Sequence, residues 1–378
     1  MQRILVVKLA DLGDLLTATP ALRALRLTWP TAEITALVTP HSATLLEHND
    51  AVDHVIRFPK AIFDDPRGLV HPVRGPRAAS AALELGRTLR ARRFDAVVLL
   101  HHLVTGWGAT KYRALARAAH APIVAGLENG RGSFLTHHAR DAGFGERHEV
   151  EYGLDVVATL GASNPDPRME LHLTREELSA ADEQWTALGL DGQDVVALHP
   201  GSGSFSVAKR WTPEGFGAVG DALAADGLRV GIVAGPGEEP LAEAVRRAMR
   251  APSILFEDVG LRAMAATLKR CRLFVGNDSG VMHLAATVGT PVVAVFGLSN
   301  HRAWGPYPPA EHQVVRLDLP CSPCLYRGTS LGDKEGCPPR TCLTDLSPEL
   351  VVSSARRLLG STKTEVVVGR ATAWRHDG

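Results

Sequence analysis

The chain opens on Ile4-Leu5-Val6-Val7, an unbroken apolar run flanked by Arg3 and Lys8. That pattern is too short for a helix and too continuous for a half-exposed strand, so it predicts a strand buried on both faces. A helical pattern over residues 14–27 follows, and the alternation then repeats. Further strands are expected over 32–38, 52–58, 95–100 and 122–125, and helices over 78–92, 108–119 and 150–160. Gly161-Ala162-Ser163-Asn164-Pro165-Asp166-Pro167 is a dense run of turn formers and places a domain boundary. Beyond it, strands over 194–199, 229–234, 253–256, 273–275 and 291–296 alternate with helices over 213–225, 238–249, 261–269 and 280–288. A last helix begins with Ser347 as N-cap and Pro348 at its first position.

Strand–helix alternation in two blocks predicts an α/β chain of two Rossmann-like, doubly wound domains facing a central cleft. The expected divisions are 1–163, 164–346, a C-terminal helix over 347–360 that can pack back on the N-terminal domain, and a mobile tail over 361–378.

The chain's 378 residues suffice for two domains, with 45% hydrophobic and 22% charged residues. Lys+Arg and Asp+Glu both number 41, which argues against a nucleic-acid partner for the protein as a whole. Charge is uneven locally: from Arg57 to Arg93 nine Lys/Arg stand against three Asp/Glu. Such a stretch fits an anionic acceptor, a membrane surface or a solvated helix face. The first residues lack the charged region, long apolar region and cleavage site of a secretory signal. No apolar run approaches the ~20 residues that span a bilayer. The expectation is therefore a cytoplasmic protein, at most peripheral at the inner face of the inner membrane.

Four segments carry candidate chemistry. In Val275-Gly276-Asn277-Asp278-Ser279-Gly280-Val281-Met282-His283 a strand runs through a small-residue loop into a helix. Free N–H groups and the positive helix end suit a phosphate, with Asp278 as a cap or an acceptor for a sugar hydroxyl. A plain strand–turn–helix cap fits equally. The segment His199-Pro200-Gly201-Ser202-Gly203-Ser204, running on to Lys209-Arg210, is a second strand–loop pair followed by two cations. It is not a Walker loop, but Lys209 can hold a diphosphate as a point charge. Glu238 and Glu239 open a helix after Gly235-Pro236-Gly237 and can reach ribose hydroxyls or complement the helix dipole. Asp14, after Gly13, is a candidate general base or an N-cap. His101 and Arg113 fit either an acceptor site or the solvent-facing surface, and His102 shares the ambiguity of His101. Cys321-x2-Cys324 and Cys337-x4-Cys342 have the spacing of a structural zinc site, a disulfide pair or free thiols.

Taken in order, VVKLADLGDLLTATPALRALR, HPGSGSFSVAKRWTPEGF, AGPGEEPLAE, GNDSGVMHLAATVGTPVVAVFG and PCSPC with CLTDLSPELV resemble glycosyltransferase family 9, the ADP-heptose:lipopolysaccharide heptosyltransferases. The resemblance implies a GT-B fold and inverting, metal-independent transfer of a heptose from an ADP-sugar to a lipopolysaccharide core or similar glycan. It makes Asp14 the catalytic base and Lys209 the holder of the donor diphosphate. Ser202, Glu238, Glu239, Asp278, Ser279, Gly280 and His283 become donor contacts, while Gly13, His101 and Arg113 remain candidates for the acceptor. No cofactor is implied beyond a possible structural zinc. Transfer of another nucleotide-hexose, a nucleotide-sugar epimerase and a non-catalytic nucleotide-sugar binder are the alternatives. A dinucleotide dehydrogenase is disfavoured, because no G-x-G-x-x-G follows the first strand.

Overall fold

The structure is a computed structural model that describes residues 1–64, 71, 74–256, 260–360 and 367–369. Parts of the basic stretch between Arg57 and Arg93, and most of the tail from Ser361, therefore lie outside the described residues. The chain divides into two compact units. The first comprises Met1–Gly143 and Glu149–His172, the second Phe144–His148 and Leu173–Gly378.

In the first unit β1 (Arg3–Lys8), β2 (Glu33–Val38), β3 (His54–Arg57), β4 (Ala96–Leu99), β5 (Ile123–Glu128) and β6 (His137–Arg140) form one parallel sheet. Their order is β3-β2-β1-β4-β5-β6. Ile4 through Lys8 are all buried, as expected of a central strand covered on both faces. The sheet packs through Leu5, Val7, Leu37, Val97 and Leu99 against Leu89, Leu115 and Ala116 of the covering helices. The Leu12–Thr28 helix follows β1 directly and lies against the Glu149–Ala158 helix.

In the second unit β7 (Val195–His199), β8 (Arg229–Val233), β9 (Ser253–Phe256), β10 (Leu273–Asn277), β11 (Val292–Val295) and β12 (Gln313–Leu317) repeat the architecture. With β15 (Val367–Gly369) on the edge beside β12, the order is β15-β12-β11-β10-β7-β8-β9. Here the Pro213–Ala225 helix is capped by Thr212, whose hydroxyl accepts the Gly215 N–H at 3.1 Å. A small antiparallel ribbon, β13 (Leu325–Arg327) with β14 (Ser330–Gly332), follows.

Both sheets reverse strand order beside their first strand, between β1 and β4 and between β7 and β10. Such a reversal opens a crevice at the carboxyl ends of the strands, where open α/β sheets take their ligands.

Two placements differ from the sequence reading. The Pro348–Gly360 helix belongs to the second unit, where Val351, Val352 and Ala355 join its core and the helix lies against Pro213–Ala225. Its apolar stripe is consumed there. The first unit extends to His172, past the turn-rich run, because that run is tied back to it: Asn164 donates to the Pro20 carbonyl at 3.2 Å and the Glu170 N–H to Thr19 at 2.9 Å. The second unit in turn includes the short Phe144–His148 segment. Phe144 N–H donates to the Gly328 carbonyl at 2.7 Å, Asn300 to the Phe144 carbonyl at 3.1 Å, and His148 to the Gly305 carbonyl at 2.9 Å.

Candidate functional site

At the first crevice, β1 ends in Lys8 and the chain enters a helix in which Gly13 is buried and Asp14 is the first-turn carboxylate. Asp11, not Asp14, holds the N-cap position, and its side chain makes no capping hydrogen bond. The Asp14 side chain keeps 31% exposure and has the buried Lys8 Nζ at 3.8 Å. Burial raises the Asp14 carboxyl to about 6, against the opposing pull of Lys8. A carboxylate poised there titrates close to the working range of a general base.

From β4 the two histidines diverge. His101 accepts the Leu9 N–H on Nε2 at 2.6 Å and stacks on Tyr112 at 4.8 Å. Burial, with Lys8 adding to it, pushes this ring well below the ordinary histidine range, so it is a neutral acceptor. Through Nε2 it fixes the loop that leads to Asp14. His102 lies between two carboxylates, with Asp141 on Nδ1 and Glu149 on Nε2, each at 2.9 Å. Burial alone would lower its pKa, but Glu149 and Asp141 overcome it and raise His102 to about 9, so an imidazolium is buried there. Arg113 is held elsewhere, 3.0 Å from the Ser133 hydroxyl and over the Phe134 ring at 5.4 Å. Gly13 and Asp14 thus share a crevice, His101 is tied to Leu9 and Tyr112, and Arg113 packs with Ser133 and Phe134.

The second crevice brings the remaining candidates together. β7 ends in His199 and the loop of Gly201, Ser202 and Gly203 follows. Opposite, β10 ends in Asn277, Ser279 is the N-cap and Gly280 the first residue of the Gly280–Thr287 helix. Glu238 is buried beneath the first loop. Its Oε1 accepts the Ser202 and Gly203 N–H groups at 2.9 Å each and Arg210 at 3.2 Å, while Oε2 meets His199 Nε2 at 3.2 Å. Burial by itself would raise this carboxyl. The His199 ring and the two backbone donors outweigh it and hold Glu238 down at about 2. A Cβ on Gly201 would collide with that carboxylate, so a larger residue there would have to displace it.

Glu238 is therefore a staple for the loop, with most of its accepting capacity spent. Glu239 is exposed and accepts the Gly237 N–H at 3.1 Å. The Ser202 hydroxyl is also engaged, donating to the Ser206 carbonyl at 2.9 Å. Lys209 is buried and pairs with Asp278 at 3.2 Å. Ser279 caps its helix by accepting the Met282 N–H at 3.2 Å, and its hydroxyl lies 3.3 Å from His199 Nδ1. One turn on, His283 is buried with Nδ1 unpartnered, and burial pushes it down to about 3. Lys209, Asp278, the helix N-terminus and an unsatisfied neutral imidazole are thus gathered at one loop pair. That set suits an anion with polar groups attached.

The sequence reading missed two parts. His199 and Asn277 sit at the last positions of adjacent strands. Asn277 accepts the Trp211 N–H at 3.0 Å and donates to the Pro200 carbonyl at 2.8 Å, binding three segments. The available signal was a polar residue ending an apolar strand just before a glycine-rich loop. The His102–Asp141–Glu149 cluster had no local signal, since its members lie far apart in sequence.

The four clustered cysteines are free thiols. Burial first, then the neighbouring thiols of the cluster, raise Cys342 to about 11 and shift Cys324 upward. Cys324, Cys337 and Cys321 all act electrostatically on Cys342, so the four thiols share one neighbourhood. Among the described residues no group of three His, Cys, Asp or Glu side chains is arranged to hold a metal ion. Among the described residues no helix is long and apolar enough to cross a membrane.

Comparison with known proteins adds the following. The family model for Glycosyltransferase family 9 (heptosyltransferase) matches residues 82–334. Lipooligosaccharide heptosyltransferase 2 of Campylobacter jejuni is 31% identical over 173 residues, 45% of this chain and 52% of that protein, so the chain spans about half the length of this relative. A crystal structure of a family 9 glycosyl transferase from Veillonella parvula superimposes with a TM-score of 0.72 at 26% identity, covering 95% of this chain and 97% of that one. The Escherichia coli heptosyltransferase WaaC with ADP gives 0.68 at 20% identity, over 94% and 100% of the two chains.

Proposed function

The chain belongs to glycosyltransferase family 9, and on that premise we propose that it transfers a heptose from ADP-heptose to the core of a lipopolysaccharide-like glycolipid, with inversion and without a metal ion. The names of the Campylobacter relative and of the ADP-bound Escherichia coli structure support the choice of sugar and nucleotide. In this reading the acceptor lies at the inner face of the inner membrane and the enzyme works from the cytoplasm.

Asp14 accepts the proton of the acceptor hydroxyl as that oxygen bonds to the anomeric carbon. The bond from that carbon to the diphosphate oxygen breaks on the opposite face, and its electron pair leaves with the ADP. Attack opposite the leaving group inverts the centre. Lys209 and the N–H groups at the start of the Gly280–Thr287 helix take up the charge that grows on the diphosphate. Lys209 then exchanges Asp278 for phosphate oxygen, and Asp278 turns to a sugar hydroxyl. His283 gives its unpartnered Nδ1 to the donor. Glu239 takes the ribose hydroxyls, Glu238 and Ser202 hold the loop in shape, and Gly13, having no side chain, leaves room for the acceptor beside Asp14.

One observation carries the reading. Each sheet reversal holds a different half of the chemistry: a carboxylate near pKa 6 in the first unit, and a buried cation beside a helix N-terminus in the second. The test is transfer from ADP-heptose to a heptose-deficient core glycolipid, followed by mass spectrometry. Transfer that survives EDTA is expected. Conversion of the donor without acceptor would replace the reading with an epimerase. Failure of every ADP-sugar to raise the melting temperature would remove the donor assignment.

A further inference from the structure

The first unit carries a cavity that takes no part in the chemistry above. It lies between the Arg74–Ala91 and Gly106–Ala119 helices and has a volume of about 350 Å³. Phe58, Phe63, Leu85, Trp107 and Leu115 line it, with alanines at 79, 82 and 114 keeping it open. The polar groups on its wall are already used. Trp107 Nε1 donates to the Phe63 carbonyl at 3.1 Å, Thr110 to the Gly106 carbonyl at 2.9 Å, and Lys111 to Asp64 at 2.9 Å. A polar ligand would find nothing to bond there, and an empty apolar space of this size forfeits contacts that hydrocarbon would restore.

The same pair of helices changes character at its carboxyl end. One residue beyond Gly86 and Ala118, which still line the cavity, Arg87 and Ala119 begin a groove that also contains Arg90, Arg93 and His120. Arg117 stands on the adjoining surface. Arg87, Arg90, Arg93 and Arg117 are exposed, and none of the four has an acidic partner among the described residues. Leu83, on the Arg74–Ala91 helix, is 61% exposed, and Ile62, the neighbour of Phe63 in sequence, is 37% exposed. An apolar cavity with unpaired arginines at the carboxyl end of the same two helices has the polarity profile of an anionic amphiphile.

We infer that this helix pair docks an anionic membrane phospholipid, with one acyl chain in the cavity and the phosphate on the arginines at its end. The surface is independent of the transferase reading and stands or falls without it.

The test uses the full chain and calorimetric titration with dodecyl phosphate below its micellar concentration. Saturable one-to-one binding is expected, at least about tenfold tighter than dodecyl maltoside or butyl phosphate. Ala82→Trp, which fills the cavity from an exposed position, is expected to weaken binding at least about tenfold, and Ala114→Leu serves if the first variant misfolds. Paired Arg87→Glu and Arg90→Glu changes are expected to do the same, and to abolish flotation with phosphatidylglycerol vesicles. Ala82→Trp should leave turnover of a deacylated, soluble acceptor unchanged, which separates this site from the catalytic one. Equal binding by Ala82→Trp, or vesicle binding without saturable uptake of dodecyl phosphate, overturns the inference, since charge alone would then explain it. Binding seen with a phosphorylated glycolipid acceptor but not with phosphatidylglycerol also overturns it.

Discussion

The two sheet reversals share a topology and differ in how tightly the groups proposed for the chemistry are tied. At the second, Glu238 alone receives two backbone N–H groups, Arg210 and His199, Asn277 joins three segments, and Lys209 is paired. At the first, Asp14 has one cation at 3.8 Å and about a third of its side chain open. A site that must meet charge on a leaving group gains from donors fixed in advance, because nothing reorganises as the bond breaks. A base gains from the opposite, an environment loose enough to take up and lose a proton near working pH. The contrast is what the proposed division of labour requires.

The comparison is sharpest where each side is broken in turn. Asp14→Asn should lower kcat by about 10²–10⁴-fold while calorimetry shows ADP affinity unchanged; undiminished turnover would end its assignment as base. Lys209→Met should cost about 10²–10³-fold in kcat and, unlike the first variant, weaken ADP binding as well. Glu238→Gln should reduce folding stability by about 1–3 kcal/mol at pH 7, read from chemical denaturation. Glu238 is depressed in the folded state, so its contribution is present above its ordinary value of 4.5 and lost as pH falls toward about 2. The gap between variant and wild type should close over that range. The smallest effect is expected from Lys8→Met. Asp14 must be ionised to act, so activity falls as pH drops through about 6. Removing the cation that favours its charge should move this acid limb upward by about one unit in a kcat/KM profile; an unmoved limb would show that Lys8 does not set it.

Much of this architecture was legible in the chain because parallel strands are apolar throughout and their helices are not. The central strands β1, β7 and β10 stand out for that reason, and so do the loops that follow them. The edge strand β6, His137-His138-Ala139-Arg140, was missed because half of its side chains face water and nothing alternates cleanly. The Arg175–Ala187 helix was also passed over, although Thr174 and Glu177 form a complete capping box ahead of it. Ser202, Glu238 and Lys209 were found by their neighbours in sequence, yet Glu238 turned out to hold its own loop. Its partner His199 lies 39 residues away, a distance over which only folding makes the pairing visible.

The short return of the chain at Phe144–His148 has a practical consequence for modularity. No single cut yields both halves whole. A fragment beginning at Leu173 would lack the strip that satisfies the Gly305 and Gly328 carbonyls and the Asn300 amide. Swapping the second unit between relatives therefore calls for transplanting five upstream residues along with the C-terminal portion, a grafting problem rather than a splice.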